Sequence, residues 1–186
     1  MVKFWFTADT HFGHYNIIEY TNRPFKSIEH MDMELIRRWN ERVAEEDIVY
    51  HLGDFAFREI MKPQDYLDQL NGQVVIIRGN HDQNNDVKSK LTSAVIRHGG
   101  IDIWLSHEPK AIYKFNFCGH VHGNWKLSRR GPHIIVNVGT DVWNFYPIDI
   151  NEILKFLSSE GIKVQGTEKE WTKERKESIV IKEGNI

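Results

Sequence analysis

Cysteine is nearly absent from this 186-residue chain, and the single residue, Cys118, excludes an internal disulfide. One cysteine also excludes the multi-cysteine ligand sets of structural zinc sites. Net charge is scarce as well, since 24 Lys and Arg stand against 26 Asp and Glu for a balance of −2. No broad cationic surface for a polyanion follows from that composition. No apolar run approaches the length needed to cross a bilayer, so no membrane association is expected. The opening Met1-Val2-Lys3-Phe4-Trp5-Phe6 is too short for a secretion signal and leads straight into a polar motif. Cys118 ends an apolar run and reads as a small core residue, and a reducing cytoplasm is the expected setting. Internal repeats, low-complexity segments and a motif with a nucleophilic Ser or Cys are all lacking. The length suits one domain with a sizeable core.

What is present is a series of five histidine- and aspartate-bearing motifs: Asp9-Thr10-His11, Gly53-Asp54, Gly79-Asn80-His81-Asp82, Ser106-His107 and Gly119-His120-Val121-His122. Each follows a strand-like run: Val2 to Ala8, Ile48 to Leu52, Val74 to Arg78, Ile101 to Leu105 and Phe115 to Cys118. Ligands of α/β sheets bind at the carboxyl ends of strands. The order therefore gathers carboxylates, imidazoles and a carboxamide along one rim, a donor set suited to two divalent transition metals. Taken singly, Asp-x-His is weak and Gly-Asp is ordinary turn chemistry. The two imidazoles of Gly-His-x-His share one face of an extended segment. Joint occurrence decides for a functional cluster.

Alternation of strand-like and helix-like runs, followed by consecutive strands after Arg97, suggests two sheets packed face to face with helices outside. Helical spacing runs from Glu29 to Ala44 with Ser27 as N-cap. A shorter helix is expected over Pro63 to Leu70, and another from Asn151, as cap, to Glu160, before Gly161. His30, His98 and His133 read as surface residues. His51 is read as a half-buried strand histidine or as a support behind the ligands. His14 is read either as a substrate contact or as a satisfied loop histidine. Trp5, Trp39 and Trp104 belong to the core by default, whereas Trp125 and Trp143 are candidates to shape a cleft for a flat group.

The five motifs, in this order, resemble the calcineurin-like metallophosphoesterase superfamily. The wording around them is similar to a small single-domain bacterial and phage branch. The stretches that carry the resemblance include Asp9 to Ile18, Arg23-Pro24-Phe25, Val49 to Phe55, Arg78 to Asp82, Leu105 to Pro109, Gly119 to Gly123 and Asn137 to Trp143. The resemblance implies a four-layer α/β/β/α sandwich of two mixed sheets flanked by helices. It covers about residues 1–158; the domain is read as residues 1–162, with 163–186 as a charged extension in which Ser178 to Ile181 is strand-like. That extension reads as an added edge strand or a partly disordered segment. The resemblance further implies one metal held by Asp9, His11 and His122, a second by Asn80, His107 and His120, and Asp54 bridging both. His81 would act on the phosphate without binding metal, with Asp82 fixing its ring. His14 and Arg23 are the candidates for holding non-bridging oxygens.

The implied function is a dinuclear-metal phosphoesterase in which a metal-bridging hydroxide attacks phosphorus, with phosphodiesters favoured. Manganese suits the mixed site, as do Fe, Zn, Co and Ni. The partner is a phosphoester substrate, with nucleotides and nucleic acid in that class. Competing readings are a phosphomonoesterase or nuclease on the same site, and a non-catalytic binding or scaffold protein on the same fold.

Overall fold

In the computed structural model, residues 2–164 are described. Four strands form the first sheet: β1 (Phe4–Thr7), β2 (Ile48–His51), β3 (Gln73–Ile76) and β9 (Ile148–Asp149). Their order is β3-β2-β1-β9; β1, β2 and β3 are parallel and β9 is antiparallel. The second sheet contains β4 (Ser93–His98), β5 (Ile101–Ser106), β6 (Phe115–Cys118), β7 (Leu127–Arg130) and β8 (His133–Asn137), in the order β4-β5-β6-β8-β7. Its three central strands are parallel, and both edges are antiparallel.

Alternation along β1 separates two cores. Trp5 joins Val49, Ile17 of the short α1 (Ile17–Tyr20) and the buried faces of α2 (Ile28–Arg42) and α3 (Pro63–Leu67). Phe6 points the other way, into a core shared with Ile103, Leu105, Phe117 and Val136 of the second sheet. The Phe6 and Phe117 rings meet edge-on at 5.2 Å. The period of two in a strand produces this division, because neighbouring side chains face opposite sides. Each sheet thus packs on the other, and helices flank the pair.

Helix α2 buries Ile28, Met31, Leu35 and Trp39, which is i, i+3, i+7, i+11 spacing. The Ser27 hydroxyl accepts from the His30 amide at 3.2 Å, as its N-cap position requires. Helix α3 is shorter than expected. Pro63 opens it and the Asp65 carboxylate accepts from the Lys62 amide, but the helix proper stops at Leu67. Helix α4 (Ile150–Ser159) starts one residue early, with Asp149 as its cap instead of Asn151. The Asp149 carboxylate accepts from the Asn151 amide at 2.7 Å. Ile150, Ile153 and Leu157 of α4 enter the inter-sheet core. The helix is tied to α2 by Arg42–Glu152 at 3.1 Å and to the β7 edge by Arg129 donating to the Glu160 carbonyl.

Strands β4, β7 and β9 were not expected. Gly99 and Gly100, both at positive φ, make the turn that pairs β4 with β5. Ile162 and Val164 still pack against the inter-sheet core. The charged extension from residue 165 onward, with its strand-like segment, lies outside the described residues. No helix among the described residues is long and apolar enough to cross a membrane.

Candidate metal centre

The carboxyl ends of β1, β2, β5 and β6 converge. Asp9 and His11 follow β1, Asp54 follows β2, His107 follows β5, and His120 and His122 follow β6. Asn80 and His81 come from the loop after β3. A bridge between Ala8 and Gly139, with the Thr140 amide donating to the Ala8 carbonyl, locks the two sheets together beneath the site.

Five of these residues hold left-handed backbone: Asp9, His11, Asp54, His120 and His122, with φ between 45° and 70°. Such a conformation costs a non-glycine residue about 1–2 kcal/mol. Strain of this kind persists where surrounding bonds over-determine it, and it gathers at functional sites. The bonds are present. The Asp9 amide donates to the Gly53 carbonyl at 3.0 Å, and the His11 amide to the Asp54 carbonyl at 3.1 Å. The His120 amide donates to the Asp9 carboxylate at 2.9 Å. Close approach is also required: a Cβ on Gly79 would collide with the Asp54 carboxylate, which sits directly above that backbone.

The donor atoms of Asp9, His11 and His122 lie within 4.8 Å of one another, as do those of Asp9, Asp54 and His107. Asp54 Oδ2 stands 3.7 Å from His11 Nε2 and 3.4 Å from His107 Nε2. Asn80 Oδ1 lies 2.8 Å from His107 Nε2 and 3.1 Å from His120 Nδ1. Donors bound at about 2.1 Å to one ion stand about 3.0–3.4 Å apart, so these spacings suit a shared cation. Asp9 Oδ1 is 3.9 Å from His107 Nδ1, but that nitrogen faces the Leu52 carbonyl at 2.8 Å. Nδ1 therefore carries the proton, and Nε2 is the atom left for a metal.

Burial supplies the strongest fit test. Both ring nitrogens of His11 are buried with no hydrogen-bond partner, and burial pushes its pKa well down, which keeps the ring neutral. A buried neutral imidazole without a partner is costly, and a cation satisfies it. Burial raises Asp9 to about 6, a sign that its negative charge needs a counter-charge there. Burial acts against ionisation of Asp54 too, but the His107 hydrogen bond and the His107 charge hold its carboxyl below the usual range. Burial tends to lower His107; the hydrogen bond to Asp54 and the charges of Asp9 and Asp54 win and raise it to about 9. A divalent ion would take the place of these imidazolium charges. The donor set fits one.

The structure brings together Asp9, His11, Asp54, Asn80, His107, His120 and His122. His81 sits at the mouth, its side chain half exposed and its Nε2 4.0 Å from Asp54 Oδ2. Two expected roles need correction. Asp82 does not fix the His81 ring: its carboxylate accepts from the amides of Asp54, Phe55 and Gly79 at 2.7–2.9 Å, and so holds the Asp54 loop. Arg23 is not available to phosphoryl oxygens. It is buried, and its Nε and both Nη atoms donate to the Asp141 carboxylate and to the carbonyls of Asp9 and Thr10. The arginine thereby braces the strained Asp9 loop.

His14 packs against Phe57 with ring centres 3.9 Å apart. His51 is fully buried, not half-buried, and its Nε2 meets the Thr10 hydroxyl at 2.9 Å between Asp9 and His11. Trp143 does not shape a cleft: its indole donates to the Asn137 carbonyl, meets the Phe156 ring edge-on and lies under the Lys126 ammonium. Asp141 went unnoticed in the sequence. It accepts from His122 Nδ1 at 3.0 Å and from Arg23 at 2.8 Å, which leaves His122 Nε2 for a metal. The acid stands within the Asn137 to Trp143 stretch, and that was the available signal.

Residues 3–145 match the model of the calcineurin-like phosphoesterase superfamily domain. The chain belongs to that superfamily, whose members are mostly phosphoesterases, and it carries candidate metal-binding residues of the corresponding kind. An uncharacterized protein of Methanocaldococcus jannaschii is 36% identical over 167 residues, covering 84% of this chain and 92% of its own. The gene 66 protein of Mycobacterium phage L5 is 27% identical over 77% of this chain and 88% of its own. A crystal structure of a protein of unknown function from Aquifex aeolicus aligns with a TM-score of 0.66 and 25% identity, over 84% of this chain and all of that one.

Proposed function

We propose that this protein is a dinuclear-metal phosphodiesterase. The observation that carries the reading is the position of Asp54 Oδ2, which faces both His11 Nε2 and His107 Nε2 at 3.4–3.7 Å. A carboxylate oxygen can be shared by two ions, and an imidazole nitrogen cannot. Asp9, His11 and His122 would hold one ion, Asn80, His107 and His120 the other, and Asp54 both. Manganese is the first candidate, with Fe, Zn, Co and Ni suiting the same donors. Two such ions lower the pKa of a shared water and polarise the phosphoryl oxygens.

The chain's own residues account for the rest. Water oxygen bonds to phosphorus as the bond to the leaving oxygen breaks; the attacking water releases a proton to solvent, and a ring N–H of His81 donates one to the leaving oxygen. An alcohol and a phosphomonoester result. Diesters are favoured because Arg23, the guanidinium braced behind Asp9, is consumed by internal partners and is not available to a phosphate dianion. The buried free thiol of Cys118 agrees with a reducing, cytoplasmic setting.

Elemental analysis of protein loaded with Mn²⁺ should approach two ions per chain, and an aryl phosphodiester should be hydrolysed. His81→Ala should keep both ions and lose turnover by about 10²–10⁴-fold, most for poor leaving groups. Turnover of monoesters alone would remove the diester preference. Saturation at one ion would remove the dinuclear reading.

A further inference from the structure

We infer that Phe57 and Tyr20, joined through His14, form a subsite for a flat aromatic leaving group, an aryl ring or nucleobase; the inference rests on the phosphodiesterase reading above. Phe57 stands among three histidines at the mouth of the metal centre. Its ring centre is 3.9 Å from that of His14, 5.6 Å from His81 and 5.7 Å from His11. Tyr20 lies beyond His14 at 6.2 Å, and 74% of its surface is exposed. An exposed tyrosine next to a row of rings leaves π-surface open to a ligand.

The row begins where the reaction would end. His81, the group assigned to protonate the leaving oxygen, neighbours both His11 and Phe57, with ring centres 5.8 Å and 5.6 Å away. Whatever is attached to that oxygen would therefore lie along Phe57, His14 and Tyr20. Charge argues for a small ester over a polynucleotide. Glu59 places a negative charge near His14, and neighbouring Arg58 is paired with Asp86 at 3.2 Å. A nucleic-acid strand needs a cationic track for its phosphates, and these charges do not provide one. Stacking alone tolerates every flat ring.

The test is calorimetric binding of three monoesters, AMP, phenyl phosphate and methyl phosphate, to Mn²⁺-loaded protein. AMP and phenyl phosphate should bind roughly ten-fold more tightly than methyl phosphate, the size of one stacked ring. Tyr20→Ala and Phe57→Leu should each erode that advantage, and Phe57→Trp should restore it. An advantage for AMP without phenyl phosphate identifies a nucleobase; an advantage for both identifies any flat ring. Equal binding of all three, or an advantage untouched by both variants, overturns the subsite while the metal centre stands. If none of the three binds, the subsite is overturned, while hydrolysis of an aryl phosphodiester decides the phosphodiesterase reading separately.

Discussion

The two halves of the metal centre are built differently. Asp9, His11 and His122 lie mostly below the surface, while Asn80 and His120 are exposed and only His107 of that half is buried. The buried half rests on a second layer: Asp141 holds His122, Arg23 holds both Asp141 and the Asp9 loop, and His51 holds Thr10. The exposed half rests on less, chiefly the Leu52 carbonyl behind His107 and the mutual contact of Asn80, His107 and His120. A support that is buried and satisfied pre-orients its ligands; a support open to water does so less. The first half should therefore hold its ion more tightly, and the second should lose its ion first on chelation.

The largest test removes the residue common to both halves. Asp54→Ala should weaken both ions together, because two cations would then face each other with less negative charge between them. Metal titration with circular dichroism as a control reads this out. A variant that still binds two ions as tightly as the parent breaks the bridging assignment. The next test sets the halves against each other. Asp141→Asn should cost the buried half about 10–100-fold in metal affinity, whereas His120→Ala should weaken only the exposed half. Both variants leave the buried Arg23 charge without its counter-charge, and Asp141→Ala is expected to unfold more readily than Asp141→Asn, because Asn keeps an oxygen that accepts from the guanidinium and Ala does not. Equal affinities for the two ions in the parent would end the comparison.

A smaller effect appears in pH. His107 in the metal-free protein has its pKa raised to about 9, so the folded state holds a proton that the unfolded state gives up near 6.5. The stability this contributes is fully present below about pH 6.5 and is lost as pH rises through 9. Metal-free protein should therefore lower its melting temperature across that window, and His107→Gln should flatten the dependence. Metal binding should tighten over the same window, because the ion displaces that proton. The smallest test is remote from the site. Asp149→Ala removes the cap of α4 and should cost about 1 kcal/mol while metal titration stays as in the parent.

Much of the frame was legible in the chain. Apolar runs before polar motifs marked β1, β2, β3, β5 and β6, and the helical spacing of Met33, Ile36, Trp39 and Val43 marked α2, although the face it buries carries Met31, Leu35 and Trp39 and leaves Met33 exposed. The missed strands explain themselves. Strand β9 has two residues, and β7 reads Leu127-Ser128-Arg129-Arg130, with half its side chains in solvent. Neither has enough apolar alternation to announce itself, and pairing with a neighbour decides their state. The ligand-bearing motifs were legible because each is a local word at a strand end. Arg23 and Asp82 were misread for the complementary reason: their residue types suggest an oxygen contact and a ring brace, but most of their partners are distant in the chain, 13, 14 and 118 residues away for Arg23 and 27 and 28 for two of the three amides on Asp82.

The sequence by itself determined which donor types are available, their order, and the strand ends that carry them. It did so because side-chain chemistry and strand periodicity are local properties. Only the tertiary structure decided which donors stay free. Hydrogen-bond saturation removes Arg23 and Asp82 from the reacting space, burial leaves His11 without a partner, and the meeting of two sheets at Ala8 and Gly139 brings Asp141 to His122. Those outcomes depend on groups far apart in the chain competing for the same hydrogen bonds. No reading along the chain resolves that competition until the sheets are packed.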